Sequence, residues 1–532
     1  MTAVPGDGKV FLFWDAVAEE SRDPFLGYQN NDPTQGYKKD FEGYLIYRSQ
    51  EPEFNDIKIV TDSKGEPKFW KPIAQFDLAD GIKGPDPIGI NGARFWRGSD
   101  SGLQHSFIDE DVTNGVKYFY ALVSYDMGDP NFGTQGLVPS ECTKIITEDF
   151  SGVLKFVDYN CAVVTPNASA AGYLPPEIAG DVDTLTSGIG TGKLNVSILD
   201  PSAIKEGSIY KVEFGSTGTF PDYFTNSYKV ISTYNNVADT LFTLPQTEIG
   251  SNKFSPPFDG MTMSVINDTS ISIIPAQTGW LIGQSNLTMI VTKDVSSPVK
   301  SKAWPSDYHI IWYDHEVATT PFFKIKVNFK AVNLTTQDTV ETEVFDKDGS
   351  KSLTIGDDIV VIERVAGNDF RLTWRISYLQ PAGIGYQPKY PQPGDVYQIN
   401  TKKQFASGDY FQFVTKSATV DKLLAKSQMK DIDVVPNPYI AQARWEKRNL
   451  NATGRGERRI DFIHLPATCT VRIFTVNGNL VKTLEKDGGP EDGTISWNLV
   501  TEDGMDAAFG LYIYHVKAPG VGEHIGKFAL IK

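Results

Sequence analysis

Short runs of β-branched and aromatic residues, cut at close intervals by glycine and proline, fill this chain from end to end. Val10-Phe11-Leu12-Phe13-Trp14 and Phe41 to Ser49 are early examples. Phe322 to Phe329, Phe370 to Tyr378 and Tyr410 to Thr415 come later. Such side chains suit a pleated, half-buried surface. With 47 glycines and 31 prolines between the runs, turns recur too often for long helices. The pattern predicts an all-β protein. A chain of 532 residues exceeds what one core serves, so roughly three or four domains are expected.

The first domain is expected over 1–148. Tyr118, Tyr120, Leu122 and Ser124 alternate onto one face of its clearest strand. Residues 16–40 and 50–106 are Gly-, Pro- and Asp-rich insertions. Loops of that length usually carry function or pack onto a neighbour. Residues 149–428 form a β-rich middle region, with a division into two sandwiches expected near residue 300, at Ser296-Ser297-Pro298. Asp421 to Met429 is the best short helix and leads into a last domain, 429–532. There Asn477-Gly478 offers the positive-φ pair of a tight hairpin.

The order Trp14-Asp15, then Gly43 to Ser49, then Asp109 to Asp126 is similar to fibronectin type III domains. That resemblance implies a sandwich core plugged by Trp14 and Tyr118. The last hundred residues open with Pro436-Asn437-Pro438-Tyr439. They continue through Ile473-Phe474-Thr475-Val476-Asn477-Gly478, Trp497 and Gly510 to Val516. This arrangement resembles the carboxy-terminal Ig-like domains of type IX-secreted bacterial surface proteins and the related domain of the flagellar hook cap. It implies a sorting, attachment or assembly module and an extracellular or cell-surface location, and the two resemblances together imply tandem Ig-like/fibronectin-type β-sandwich domains with long loop insertions. Met1-Thr2-Ala3-Val4-Pro5-Gly6 has no signal-peptide pattern, so a surface location expects a processed or trimmed chain.

A net charge of −16 argues against nucleic-acid partners, which need a basic footprint, and against anionic membranes. No apolar run reaches the roughly 18 residues of a membrane helix, so direct membrane insertion is not expected. Cys142, Cys161 and Cys469 cannot all pair. Cys142 and Cys161 are close enough in sequence to bridge, and buried free thiols are the other reading.

Catalysis finds little footing. His315-Glu316 opens a zinc pattern, but Thr319 stands where the second histidine belongs. His309 and His315 flank Trp312-Tyr313-Asp314. Gly188 to Lys193 imitates a phosphate loop, yet Ser187 replaces its first glycine and Leu194 its magnesium-binding hydroxyl. Calcium is the better cofactor candidate. Asp346 and Asp348 set two carboxylates before the Gly349 turn, and Asp109-Glu110-Asp111 and Asp181-Val182-Asp183 are similar. Hard cations take such oxygens from loops, although a plain Asp-rich turn has the same sequence. Trp96, in Phe95-Trp96-Arg97-Gly98, is the candidate ligand-binding aromatic, ahead of Trp70 and Trp280. Burial under its own insertion is the competing reading. Sequons occur at Asn167, Asn195, Asn267, Asn286, Asn333 and Asn451.

The expected function is a non-enzymatic extracellular or cell-surface structural or adhesion protein. It would be a subunit of a fibre or surface layer joined end to end through loops and strand edges. Its partners would be copies of itself or other surface proteins. The alternative is a set of carbohydrate- or protein-binding modules of a secreted hydrolase system, with polysaccharide as ligand.

Overall fold

The computed structural model describes residues 1–149, 153–250, 253–365, 369–382, 387–440 and 458–531. The fold is all-β, and its one described α-helix is Lys422–Gln428. Asp421 caps that helix by accepting the Leu424 N–H at 2.7 Å.

At the start, Thr2–Gly6, Lys9–Phe13 and Ser106–Asp109 form a three-stranded sheet. It faces a four-stranded sheet ordered Cys161–Val164, Tyr118–Asp126, Phe41–Ser49, Ala74–Asp77. Trp14, Tyr44, Ile46, Tyr118, Tyr120 and Leu122 fill the space between. The Tyr118 hydroxyl accepts the Thr113 N–H at 3.0 Å. The last strand of this sandwich, Cys161–Val164, lies beyond the boundary at residue 148 expected from the sequence, because it pairs with Tyr118–Asp126. The other face of Tyr118–Asp126 is buried too. Phe119, Ala121, Val123 and Tyr125 pack under Phe54, Phe69, Trp70 and Phe95 of the 50–106 insertion. The insertion thus supplies a second core.

The middle region is not two consecutive sandwiches split near residue 300. One core lies between a five-stranded sheet (Glu177–Ala179, Tyr410–Lys416, Ile209–Thr219, Asp222–Tyr234, Val237–Pro245) and the pair Lys193–Ile198 and Met261–Ile266. Its strand Tyr410–Lys416 returns only after a whole second module has been inserted. That module is an eight-stranded sheet whose two edge strands, Gly279–Ile282 and Thr288–Lys293, are neighbours in sequence. The sheet curls so that these edges meet. The Trp280 indole N–H reaches the Leu287 carbonyl at 3.0 Å, and the Tyr397 hydroxyl donates to the Met289 carbonyl at 2.8 Å. Tyr308, Trp312, Phe329, Trp374 and Ile376 fill its interior. Such an insertion leaves no composition signal, because both its ends are ordinary strand-to-loop transitions.

The last module packs Asp433–Val435, Ile460–Ile463 and Ile495–Trp497 against a five-stranded sheet. That sheet runs Tyr439–Ile440, Gly522–Ile531, Gly510–Ala518, Thr468–Thr475, Leu480–Asp487. Pro436-Asn437-Pro438 carries the chain from one sheet to the other, and prolines have no N–H to leave unpaired in the crossing. Trp497 is fully buried between the sheets. In the hairpin at Asn477-Gly478 only Gly478 takes positive φ, 85°. The register shift between Ile473 and Phe474 absorbs the difference, as in longer loops with a bulge.

One strap, residues 166–174, joins these modules. The Asn167 N–H bonds to the Gly6 carbonyl (3.2 Å), and the Pro166 carbonyl accepts the Gly115 N–H (2.9 Å), both in the first module. Ala170 and Ala171 donate to Pro490 and Leu465 of the last module at 2.9 and 3.0 Å, and Ala168 accepts from Gly493 at 2.6 Å. Tyr173 and Leu174 then pair with Val420 and Thr419. Ala168, Ala170 and Ala171 are buried, so only small side chains let two modules close on the backbone. A Cβ on Gly493 would lie 2.0 Å from the Ser169 carbonyl oxygen. Gly493→Ala should therefore cost about 1–3 kcal/mol. It should also split a single thermal transition into two, with the last module melting apart from the rest in calorimetry.

Candidate functional site

The loop between strands Asp338–Phe345 and Asp358–Val365 gathers Asp346, Asp348 and Asp357, each with an oxygen within 4.8 Å of the others'. Asp357 was not legible beforehand, since it sits nine residues past Asp348. All six carboxylate oxygens accept hydrogen bonds. Asp346 takes the N–H groups of Gly349 (2.8 Å), Ser350 (3.2 Å) and Lys351 (2.8 Å). Asp348 takes the Ser350 N–H (2.9 Å) and the Thr354 hydroxyl (2.8 Å). Asp357 takes the Lys347 and Thr354 N–H groups at 2.8 and 2.7 Å. These are the residues that could hold a cation, which would have to share oxygens with those donors.

Trp96 ends the strand Ala93–Trp96 and is 55% exposed. Trp70 is half-buried, with the Lys144 ammonium 3.5 Å and the Lys58 ammonium 4.5 Å from its ring centroid. Trp280 packs on Trp312 and Tyr397 in the inserted module.

The remaining motifs are engaged by the fold. The Gly188–Gly192 loop wraps a carboxylate of its own chain. Ile189 and Gly190 donate to Asp409 at 3.2 and 2.9 Å. A Cβ on Gly188 would lie 2.2 Å from that carboxylate. His315 bonds to Asp314 at 2.5 Å and Glu316 to Lys326 at 2.7 Å. Among the described residues His309, His315 and Glu316 do not converge as a metal set. Arg48 holds Asp109 and Asp111 at 2.9 Å each. Asp181 accepts the Asp183 N–H at 2.9 Å, closing its turn. All three cysteines are free, and burial pushes the Cys161 thiol up to about 12. The Asn333 amide is buried on Glu363 at 2.7 Å, and the Asn167 amide reaches Asp492 at 3.0 Å. Asn195 is exposed, and Asn451 lies outside the described residues.

No protein-family model matches the chain, and no curated protein does. Among solved structures it is similar to PorZ, a bacterial surface component of the type-IX secretion system of Porphyromonas gingivalis. Identity there is 11%, over 82% of this chain and 68% of that one, with a TM-score of 0.18. It is also similar to dimeric latent PorU from the same organism, at 10% identity over 68% of this chain and 34% of that one, TM-score 0.14. The BSP domain of a biofilm-associated protein is 9% identical over 100% of this chain and 98% of its own, TM-score 0.13. TM-scores this low carry no argument about fold or activity.

Three outcomes follow from this geometry. Hydrogen bonds from Ser350 and Thr354 hold the Asp348 carboxyl down at about 2. Its contribution to the loop is full above pH ~4 and fades as the pH falls through about 2, which amide protection at Gly349 and Ser350 would follow. Glu42 is fully buried, and neither of its oxygens has a hydrogen-bond partner among the described residues. Burial first, then Asp80 and Asp77, push it up to about 8. A raised carboxyl loses stability for the fold as the pH climbs from the ordinary value, ~4.3, toward about 8. Glu42→Gln should thus be increasingly more stable than the parent across that range in a melting series. Trp96→Ala should change stability by no more than about 0.5 kcal/mol, because its ring is not part of a core.

Proposed function

We propose that this chain is a non-enzymatic structural or adhesion protein of the cell surface or its surroundings, joined to copies of itself or to other surface proteins along exposed strand edges. The observation that carries this reading is the edge strand Val237–Pro245. Among the described residues it is paired on one side alone, to Asp222–Tyr234, through eight of its nine residues, with a bulge at Leu241. It carries no lysine or arginine and no interior proline to block a further strand. Such an edge is a template for strand addition. The sequence resemblance of the last module to sorting and assembly domains supports a surface location. The three-plus-four first sandwich, with its Tyr118–Thr113 bond, supports a fibronectin type III-like scaffold. His315, Glu316 and the Gly188–Gly192 loop are engaged by other groups of the chain, which supports a non-catalytic role.

The modules are not strung end to end in this assembly unit. The first and last share the strap, so the block presents its edges as one body. Asp346, Asp348 and Asp357 are the proposed calcium ligands, and assembly is measured with calcium and with a chelator. A second reading, polysaccharide binding within a secreted hydrolase system, is favoured by the exposed Trp96 ring.

At high concentration, electron microscopy is expected to show fibres or sheets, and sedimentation velocity a concentration-dependent species. Thr240 and Thr243 are exposed on the edge strand. Thr240→Lys with Thr243→Lys should leave stability within about 0.5 kcal/mol per site and abolish assembly. A chain that stays monomeric with and without calcium contradicts the reading.

A further inference from the structure

Lys324 and Lys351 are the two lysines that the described chain holds in left-handed backbone, at φ 60° and 59°. Both line the same cleft, of about 860 Å³, on the inserted module. That conformation is costly for any residue with a Cβ. Asparagine and aspartate offset the cost with a local hydrogen bond, which lysine does not make. The fold nevertheless fixes both positions. Lys351 donates its N–H to Asp346 at 2.8 Å. The Lys324 tip is closed by the Thr320 N–H on the Ile325 carbonyl at 2.8 Å. It is also held by buried Glu343, which accepts the Phe322 N–H at 2.7 Å.

The two ammonium groups have no hydrogen-bond or ion-pair partner among the described residues, whereas neighbouring Lys326 and Lys347 are paired at 2.7 and 2.9 Å. Five cationic side chains line the cleft against three carboxylates, in a chain of net charge −16. Phe323 also lines the cleft, 58% exposed, its ring perpendicular to that of Phe345 with centroids 5.6 Å apart.

We propose that this cleft binds an anionic polysaccharide, carboxylated or sulfated. Lys324 and Lys351 meet acid groups of the polymer, and Phe323 covers the apolar face of a sugar ring. The volume falls in the roughly 300–1,000 Å³ range of small-ligand sites, enough for a short stretch of saccharide. Duplex nucleic acid, with a charge about every 1.7 Å of its axis, is repelled by the rest of this acidic surface. A polymer with one charge per sugar is repelled far less. The site needs no assembly and serves a monomer equally well.

The test is calorimetric titration of the full chain with polygalacturonate, dextran sulfate and neutral dextran at two salt concentrations. At least one anionic polymer is expected to bind, more weakly at the higher salt, and dextran not at all. Lys324→Gly with Lys351→Gly removes both charges and relieves both backbones. It should weaken binding at least tenfold with an unchanged or higher melting temperature. Lys324→Arg with Lys351→Arg should keep the affinity. Wild-type affinity in the glycine variant would overturn the proposal, as would binding of neither polymer. Inorganic sulfate bound as tightly as the polymer would reduce the cleft to a free-anion site. Loss of self-association in the glycine variant, with no polymer bound by the parent, would assign the cleft to a second copy of the chain. Either result overturns the proposal.

Discussion

Two modules close on the backbone of residues 166–174, and the rest of the structure depends on how small that stretch is. Ala168, Ala170 and Ala171 fill the joint with methyl groups, and Gly493 gives up its Cβ to the Ser169 carbonyl. Asp7 adds a side-chain clasp, accepting the Ser169 hydroxyl at 2.9 Å and the Asn114 amide at 2.7 Å. Arg459 reaches the Gly115 carbonyl at 2.8 Å. These bonds link residues 107 to 344 positions apart. A joint of main-chain hydrogen bonds is rigid because each buried N–H or carbonyl it lost would cost about 1–3 kcal/mol.

The second joint is electrostatic and aromatic. Buried Lys403 meets Asp307 at 2.6 Å between the interrupted sandwich and its inserted module, and Lys402 meets Asp268 at 3.0 Å. Phe220 stands edge-on to Trp304 at 5.7 Å, and Arg371 lies over the same indole at 5.4 Å. Burial presses the Lys403 ammonium below its usual range, opposed by Asp307, so that contact serves registry more than net stability. An inserted module held at both its chain crossings and by this pair keeps the Lys324–Lys351 cleft at a fixed place relative to the edge strand Val237–Pro245.

Strand identity was legible wherever alternation met turn residues. Phe41–Ser49 matches the run seen in the sequence, and Trp14, Tyr118 and Trp497 are in cores. Connectivity was not legible. The strand Cys161–Val164 reads as part of whatever follows it, and nothing near residue 270 or 400 announces that a barrel-like module begins and ends there. The 50–106 insertion reads as loop because its apolar residues, Phe54, Phe69, Trp70 and Phe95, are scattered, yet they cover a sheet face. The acidic turn at Asp346 and Asp348 was visible as a pattern. Its third carboxylate, and the donors occupying all three, belong to the fold of the loop. The cationic cleft was invisible, because Lys324 and Lys351 are unremarkable in sequence and become distinctive only through their backbone.

Hydrogen exchange at Ala170, Ala171 and Gly493 of the full chain tests the strap most directly. If the strap welds the first and last modules into one body, these amides exchange only with the slow, global opening that frees the surrounding strands. Exchange at the rate of an exposed loop, while Val471 and Val516 in the neighbouring core stay protected, would show two modules that merely touch.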